Sequence, residues 1–420
     1  MDKIIVRGGN SLQGEVKVSG AKNSVLPVLS ATLLTPQKCI IENVPDLRDV
    51  RTMIEILRHL GVNVNFENGR LEVESGEFAG YQAPYDLVCT MRASICVLGS
   101  LLARKGRAEV SLPGGCVIGT RPIDLHLKGL KALGAEVNIE HGYIKANCKK
   151  LRGTRIYLGG PFGSSVLATA NVILAAVLAE GETVIESAAC EPEIVDLAEF
   201  INKMGGEIEG AGTPVVKIKG VNELKGTTHA VIPDRIEAGT YLVAGAITAG
   251  DVKVKGARYD HLGAVIDGLI VSGAELEIKE DEIRVRRDGK ISALEVTTLP
   301  YPGFPTDMQA QFMSYLSLAD GISIITEKIF PERFMHVGEL NRMGADITLE
   351  GSTAVVKGVE KLSGAEVMAS DLRASAALIL AGLVAEGETV VSRVYHLDRG
   401  YQNMVEKLRS LGADIQRINN

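Results

Sequence analysis

The segment Leu112-Pro113-Gly114-Gly115-Cys116-Val117-Ile118-Gly119-Thr120-Arg121 sets one thiol among glycines, directly before an arginine. A thiol beside cations ionises more easily and can serve as a proton donor or a nucleophile. The other reading is a structural cysteine. That is the reading for Cys39, Cys89, Cys96, Cys148 and Cys190, which sit in apolar strand-like or helix-like stretches. Asp307, in FPTDMQAQF, is expected to cap a helix, and a role as a base is the second reading.

Cations recur at helix starts. Arg92 in MRAS and Arg373 in DLRAS fall in the first turn of predicted helices, against the positive end of the helix dipole. Such a placement makes sense where amides and guanidinium bind an anion together; the plain alternative is a surface arginine. Arg48, Arg121 and Arg399 each stand thirteen residues before a recurring glycine, where other units have Pro192, Asp260 and Pro331. With Lys22, both halves of the chain carry such cations. If those ends face one cleft, it is strongly cationic and predicts a small polyanionic substrate.

The elements that would position these residues repeat. LRHLGVNV, LKALGAEV, INKMGGEI, LIVSGAEL, LNRMGADI and LRSLGADI place glycines at 61, 134, 205, 273, 344 and 412, a period of about seventy residues. Each unit reads as an apolar helix, a glycine turn, a strand, an amphipathic helix ending at the repeat glycine, and a strand pair. Ser24, Thr90, Ser165, Asp234, Asp307 and Asp371 are the expected N-caps of the apolar helices. The glycine suits a left-handed position after the amphipathic helix. A helix apolar nearly all round must be buried on all sides, which one unit cannot achieve and three can. The expected fold is therefore α/β, with two inside-out domains of three units each and pseudo-threefold symmetry. The expected boundaries are 22–230 for the first domain, carrying the Cys116 loop. The second is 1–21 plus 231–420, carrying Asp307, Arg373 and Arg399, with the active site in the cleft between. A continuous solenoid is the competing architecture.

Composition narrows the function classes. The 420 residues carry a net charge of −7, with 46% hydrophobic and 23% charged residues, the profile of a soluble globular protein. Trp is absent and aromatics are 4%, so neither a basic surface nor stacking platforms speak for nucleic acid. MDKIIVRGGN has no apolar signal core, and the longest apolar runs fall short of a membrane span. Six cysteines without a CxxC pair suit reduced thiols in a cytoplasm. No HExxH pairing, Walker loop or GxGxxG follows a strand, so metal, P-loop and dinucleotide readings begin low.

The motifs SGAKN (19–23), MRAS (91–94), LPGGC (112–116), RPIDLH (121–126), EPEIVD (191–196), PDRIE (233–237), FPTDMQAQF (304–312), RFMHV (333–337), DLRASA (371–376) and DRGY (398–401) run from end to end. In these the chain resembles the UDP-N-acetylglucosamine 1-carboxyvinyltransferase family of enolpyruvyl transferases, whose fold is a pair of inside-out α/β domains. The resemblance implies transfer of the enolpyruvyl group of phosphoenolpyruvate to the 3′-hydroxyl of UDP-N-acetylglucosamine by addition–elimination, releasing phosphate. That is the first committed step of bacterial peptidoglycan synthesis. It implies Cys116 as the acid that protonates the methylene, and as the site of a covalent phosphoenolpyruvate adduct and of fosfomycin alkylation. Asp307 becomes the base near the sugar hydroxyl. Lys22, Arg121 and Arg399 become the cations around the donor, with Lys22 and Arg399 also catalytic and Asn23, Arg92 and Arg373 close by. Sugar-nucleotide contacts fall on Arg92, Arg121, Pro122, Ile123, Asp124, Leu125, Ser164, Ser165, Val166, Asp307 and Ile329. No cofactor or metal is implied, and a cytoplasmic monomer without nucleic-acid or membrane partners is expected.

Departures are few. Ile95 and Cys96 stand where some relatives are aromatic, Leu167 where glycine is common, and Arg48 where lysine also occurs. The Leu167 departure bears on the uracil and diphosphate contacts of 159–169, and arginine and lysine at position 48 are unequal partners for phosphate. Two rivals are carried: a 5-enolpyruvylshikimate-3-phosphate synthase-like enzyme, and a catalytically silent regulatory paralogue. The first lacks the loop cysteine; retention of Lys22, Cys116, Asp307 and Arg399 together speaks against the second.

Overall fold

The computed structural model of the chain describes residues 2–114 and 123–418. They form two compact α/β units, one running from Gly20 to Ile232 and the other joining residues up to Ser19 with Pro233 onward. Each unit contains three copies of one motif, and among the described residues six four-stranded sheets share one topology. In the first copy, Lys38–Glu42 pairs in parallel with Thr228–Ala230 and antiparallel with Arg70–Glu74, which pairs antiparallel with Asn63–Glu67.

Far-apart strands close each unit. Thr228–Ala230 comes from the end of the first unit and completes its first sheet. In the other unit, Gln13–Lys17 pairs with Asp251–Lys255, while Lys3–Arg7 lies between Glu388–Ser392 and Asp414–Ile418. The N-terminal strands are thus structural members of the C-terminal unit. A chain that strings three units in a row would leave these sheet edges unpaired, which is a reason for the closed form over a solenoid.

The apolar helices sit inside. Every residue of the helix Arg235–Ile247 after the first is buried, as are nine of the eleven in Val166–Ala176 and ten of the eleven in Leu372–Gly382. Their cores are aliphatic and separate, one per unit. The amphipathic helices lie outside these and end at the repeat glycines, whose φ angles run from 91° to 100°. That left-handed backbone reverses the chain into the next strand, and a side chain there would be strained. No helix among the described residues is long and apolar enough to cross a membrane.

The capping expectations divide. Ser165 accepts from the Ala168 amide at 3.3 Å, Asp234 from Ile236 and Glu237 at 2.8 and 3.0 Å, and Asp371 from Arg373 and Ala374 at 2.9 and 3.2 Å. The other three do not cap. Thr90 donates back to the Leu87 carbonyl, and the helix opens instead as the 3-10 turn Arg92–Cys96 behind Met91. Ser24 is the third residue of the helix Lys22–Ala31, so its amide lies past the capping position and its hydroxyl bonds Asp196. Asp307 lies within the 3-10 turn Thr306–Met308, and its carboxylate is drawn to arginines rather than to free amides.

Candidate active site

The expected functional residues fall into two groups, one in each unit. Cys116, Arg121 and Pro122 lie outside the described residues.

In the first unit, Lys22 opens the helix Lys22–Ala31, and its ammonium lies 2.7 Å from Asp49 Oδ2. Asp49 follows Arg48 in the first turn of Arg48–His59 and is almost wholly buried. The carboxylate fixes a cation whose four-carbon stem would otherwise wander. Asn23 follows Lys22, half-buried. The repeat-glycine spacing places Arg48 and Pro192 as first residues of their helices and Asp260 as a second residue.

Arg92 opens the 3-10 turn before Val97–Lys105, and behind it lies a buried polar cluster. Asn171, inside Val166–Ala176, accepts from the Gly99 amide at 2.6 Å and donates to the Ile95 carbonyl at 3.0 Å. Its amide nitrogen also lies 3.0 Å from His126 Nδ1. An amide nitrogen only donates, so Nδ1 accepts and the imidazole proton resides on Nε2. Burial, with the nearby charge of Arg92 adding to it, pushes His126 down to about 3, so the ring is neutral. His126 lies in the first turn of Asp124–Ala132, next to Ile123, Asp124 and Leu125. Ser165 and Val166 stand at the start of the helix that carries Asn171, just after Ser164. The cluster therefore ties together the three helices at whose starts these sugar-nucleotide contacts are expected.

In the second unit, Asp307 is 27% exposed and both its oxygens are engaged. Arg333 Nη1 donates to Oδ1 at 2.7 Å and Arg373 Nη2 to Oδ2 at 3.0 Å. Burial alone would raise the carboxyl, but the charges of Arg373 and Arg333 outweigh it and hold it well below the usual carboxylate range. Arg373 is buried behind Asp307, with its guanidinium 5.2 Å from the Tyr401 ring centre. Gln311 donates to the Asp307 carbonyl at 2.9 Å and the Tyr401 hydroxyl at 3.2 Å. His336, in the same neighbourhood, is pushed to about 4 by burial, against the opposing charge of Asp371.

Ile329 is placed by Glu327, a fully buried carboxylate. Glu327 Oε1 accepts from the Ile329 and Phe330 amides at 2.8 and 2.9 Å, and Oε2 from the Thr306 hydroxyl at 2.8 Å. One side chain thereby joins the turn holding Ile329 to the turn holding Asp307. Arg399 ends the 3-10 segment Val394–Arg399, so it precedes the helix Met404–Ser410 rather than opening it. Arg373, expected at an anion site, is paired here with the protein's own Asp307.

Sequence reasoning missed Asp49, Asn171, Glu327 and Arg333 as parts of these groups. Arg333 heads RFMHV, and an acidic residue right after the Arg48 position was a usable hint. Nothing in the sequence distinguishes Asn171 from any polar residue in an apolar helix. Among the described residues no cluster of His, Cys, Asp and Glu could hold a metal.

The chain matches the family profile of EPSP synthase (3-phosphoshikimate 1-carboxyvinyltransferase) over residues 6–408. It is 55% identical over 418 residues to the UDP-N-acetylglucosamine 1-carboxyvinyltransferase of Methylacidiphilum infernorum, covering 100% of this chain and 99% of the relative. The protein of that name from Desulfosudis oleivorans is also 55% identical, with 100% of both chains covered. Among solved structures, the enolpyruvyl transferase NikO of Streptomyces tendae superposes with a TM-score of 0.90 at 25% identity, covering 100% of this chain and 99% of that one. The EPSP synthase of Acinetobacter baumannii gives 0.79 at 18% identity with 100% of both chains covered, a likeness of fold.

Proposed function

The chain belongs to the UDP-N-acetylglucosamine 1-carboxyvinyltransferase family of enolpyruvyl transferases, and from that premise we propose how its residues carry the reaction. It is an enolpyruvyl transferase that uses phosphoenolpyruvate as donor and the 3′-hydroxyl of UDP-N-acetylglucosamine as acceptor. The observation that carries this reading is 55% identity along the whole chain to relatives of that name.

The sugar oxygen adds to C2 of the donor while C3 takes a proton, giving a tetrahedral phospho-ketal. Loss of a proton from that new methyl group and departure of phosphate restore the double bond. Cys116 supplies the proton at C3, and its thiolate can alternatively add covalently at C2 of the donor once C3 is protonated. Asp307 takes the hydroxyl proton as the C–O bond forms, when that hydroxyl is most acidic. Its two arginines support this role in a specific way. They keep the carboxylate charged and aimed, at a cost in basicity that the developing bond offsets.

Lys22, Arg121 and Arg399 hold the donor's phosphate and carboxylate, with Asn23 and Arg373 beside them. They stabilise charge that develops on the leaving phosphate. Arg92, Arg121–Leu125, Ser164–Val166 and Ile329 hold the nucleotide. On this reading residues 22–230 act as one domain, and 1–21 with 231–420 as the other. Turnover requires groups from both, in a single cytoplasmic chain. Phosphate release measured with UDP-N-acetylglucosamine and with shikimate 3-phosphate is the test. Turnover with the sugar nucleotide alone is expected, and turnover with shikimate 3-phosphate alone would overturn the assignment.

A further inference from the structure

We propose that Asp196 is a positioning residue for the donor site, holding the first turn of the helix that presents Lys22; the inference rests on the reading of Lys22 as a donor ligand. Asp196 lies on the helix Pro192–Lys203 and is 1% exposed. Its Oδ2 accepts from the Ser24 hydroxyl, two residues after Lys22, and from the Ile232 amide at 3.4 Å. Ile232 in turn accepts from the Ala21 amide at 2.7 Å. The helix start therefore hangs on this one carboxylate by two routes. It needs such support, because Ala21 at the N-cap position offers no side-chain bond to the free amides.

The carboxylate is itself oriented. Asp196 Oδ1 lies 2.9 Å from His229 Nε2, and His229 Nδ1 lies 3.0 Å from Lys203 Nζ. An ammonium can only donate, so Nδ1 must accept, and the ring's single proton is on Nε2, where it donates to Asp196. Lys203 thus selects the tautomer that Asp196 requires. The line Lys203–His229–Asp196–Ser24 has one consistent direction of donation, ending at the turn that carries Lys22. Nothing in it touches where substrate atoms are expected, so its effect is on placement.

The direction of donation gives the test. Asp196→Asn keeps the shape but leaves one oxygen for donors on two sides. Facing His229, that oxygen sets the NH2 against the Ile232 amide; facing Ser24 and Ile232, it sets the NH2 against a ring nitrogen that already carries its proton, while Lys203 blocks the other tautomer. With Lys22 displaced, KM for phosphoenolpyruvate is expected to rise about tenfold, since small misplacements near a reacting group are costly. KM for the sugar nucleotide should stay within about twofold of wild type. Adding Lys203→Met frees Nδ1 to carry the proton, and the double variant should recover most of the loss. A residue that merely fills space predicts no such rescue. Ser24→Ala leaves Lys203, His229 and Asp196 intact and should raise donor KM in the same direction, which keeps the test available if Asp196→Asn folds poorly. Lys22→Ala is the reference. Donor KM raised in Lys22→Ala but near wild type in Ser24→Ala and Asp196→Asn overturns the positioning role. Unchanged donor KM in Lys22→Ala instead overturns the reading of Lys22, and the inference with it.

Discussion

Arg373 Nη2 donates to Asp307 Oδ2 at 3.0 Å, joining two residues 66 positions apart. Arg333 takes the other oxygen, so the carboxylate sits in a clamp whose two guanidinium groups are almost fully buried. Asp307→Asn keeps the shape and removes the charge, leaving both guanidinium groups without the carboxylate they donate to. Breaking such a buried pair costs about 3–5 kcal/mol. Urea unfolding should show a loss of that size, together with a fall in turnover of at least about a hundredfold. Full stability with lost turnover would mean the clamp serves catalysis alone.

Two buried imidazoles make stability depend on pH. His126 and His336 are lowered to about 3 and about 4 in the fold, from 6.5. As pH falls below 6.5 the unfolded chain binds protons that the folded one refuses. Their contribution is therefore complete above 6.5 and declines toward pH 4, by about 1.4 kcal/mol per pH unit for each ring. Asp307 has the same sign in a lower window, a carboxyl with its folded value depressed. Its contribution is present above 3.8 and is lost as pH falls below that toward the folded value. Unfolding free energies from pH 7 to 5 should fall less steeply in His126→Gln, by about one imidazole's share. An identical slope would show that His126 is not held neutral.

The repeat was the most legible part of the chain, because a left-handed glycine after each amphipathic helix is a local necessity. The six glycines could be read without knowing what surrounds them. Caps were half legible. Ser165, Asp234 and Asp371 bond local amides, whereas Ser24 and Asp307 find partners 172 and 66 residues away. A side chain that chooses between an amide in its own turn and a distant charged group cannot be assigned from local spacing. The clamp illustrates the same limit. Arg373 at a helix start suggests a bound anion, and local spacing cannot show that the protein's own Asp307 lies against it.

Cys116 is expected to be the one thiol that fosfomycin alkylates. Burial raises Cys39, Cys148 and Cys190 and pushes Cys96 up to about 12, so these four hold their protons more tightly than an ordinary thiol. Peptide mapping after treatment should locate the adduct at Cys116, with activity lost in proportion. Cys116→Ser should lose most of the rate, since a hydroxyl is a much weaker acid. An adduct on Cys96 or Cys190 would refute the assignment.

Arg399→Ala should weaken phosphoenolpyruvate binding while leaving the sugar nucleotide nearly untouched. A lost charge-assisted contact costs about 1.5–3 kcal/mol, or roughly ten- to a hundredfold in Kd. Calorimetry with each ligand separates the two. Loss of the sugar nucleotide with donor binding intact would reverse the roles given to Arg399.

The junction at Gly99 offers a test of packing against propensity. Asn171 receives the Gly99 amide and donates to the Ile95 carbonyl, bridging the two groups that a regular helix would pair directly. A methyl group on Gly99 would lie 2.3 Å from the Asn171 carbonyl oxygen and 2.5 Å from Oδ1. Helix propensity alone favours Gly99→Ala by about 1 kcal/mol. The clash opposes it and should prevail, because the nearest obstacle is backbone and cannot rotate away. Asn171→Leu attacks the same junction from the other side. It removes the partner of the buried Gly99 amide and the donor to His126, each worth about 1–3 kcal/mol. Both variants should lower the urea midpoint. Because Arg92 begins the 3-10 segment that holds Ile95, both should also weaken UDP-N-acetylglucosamine binding more than donor binding. A Gly99→Ala protein more stable than wild type would show that the helices can separate, and that the bridge does not fix where Arg92 stands.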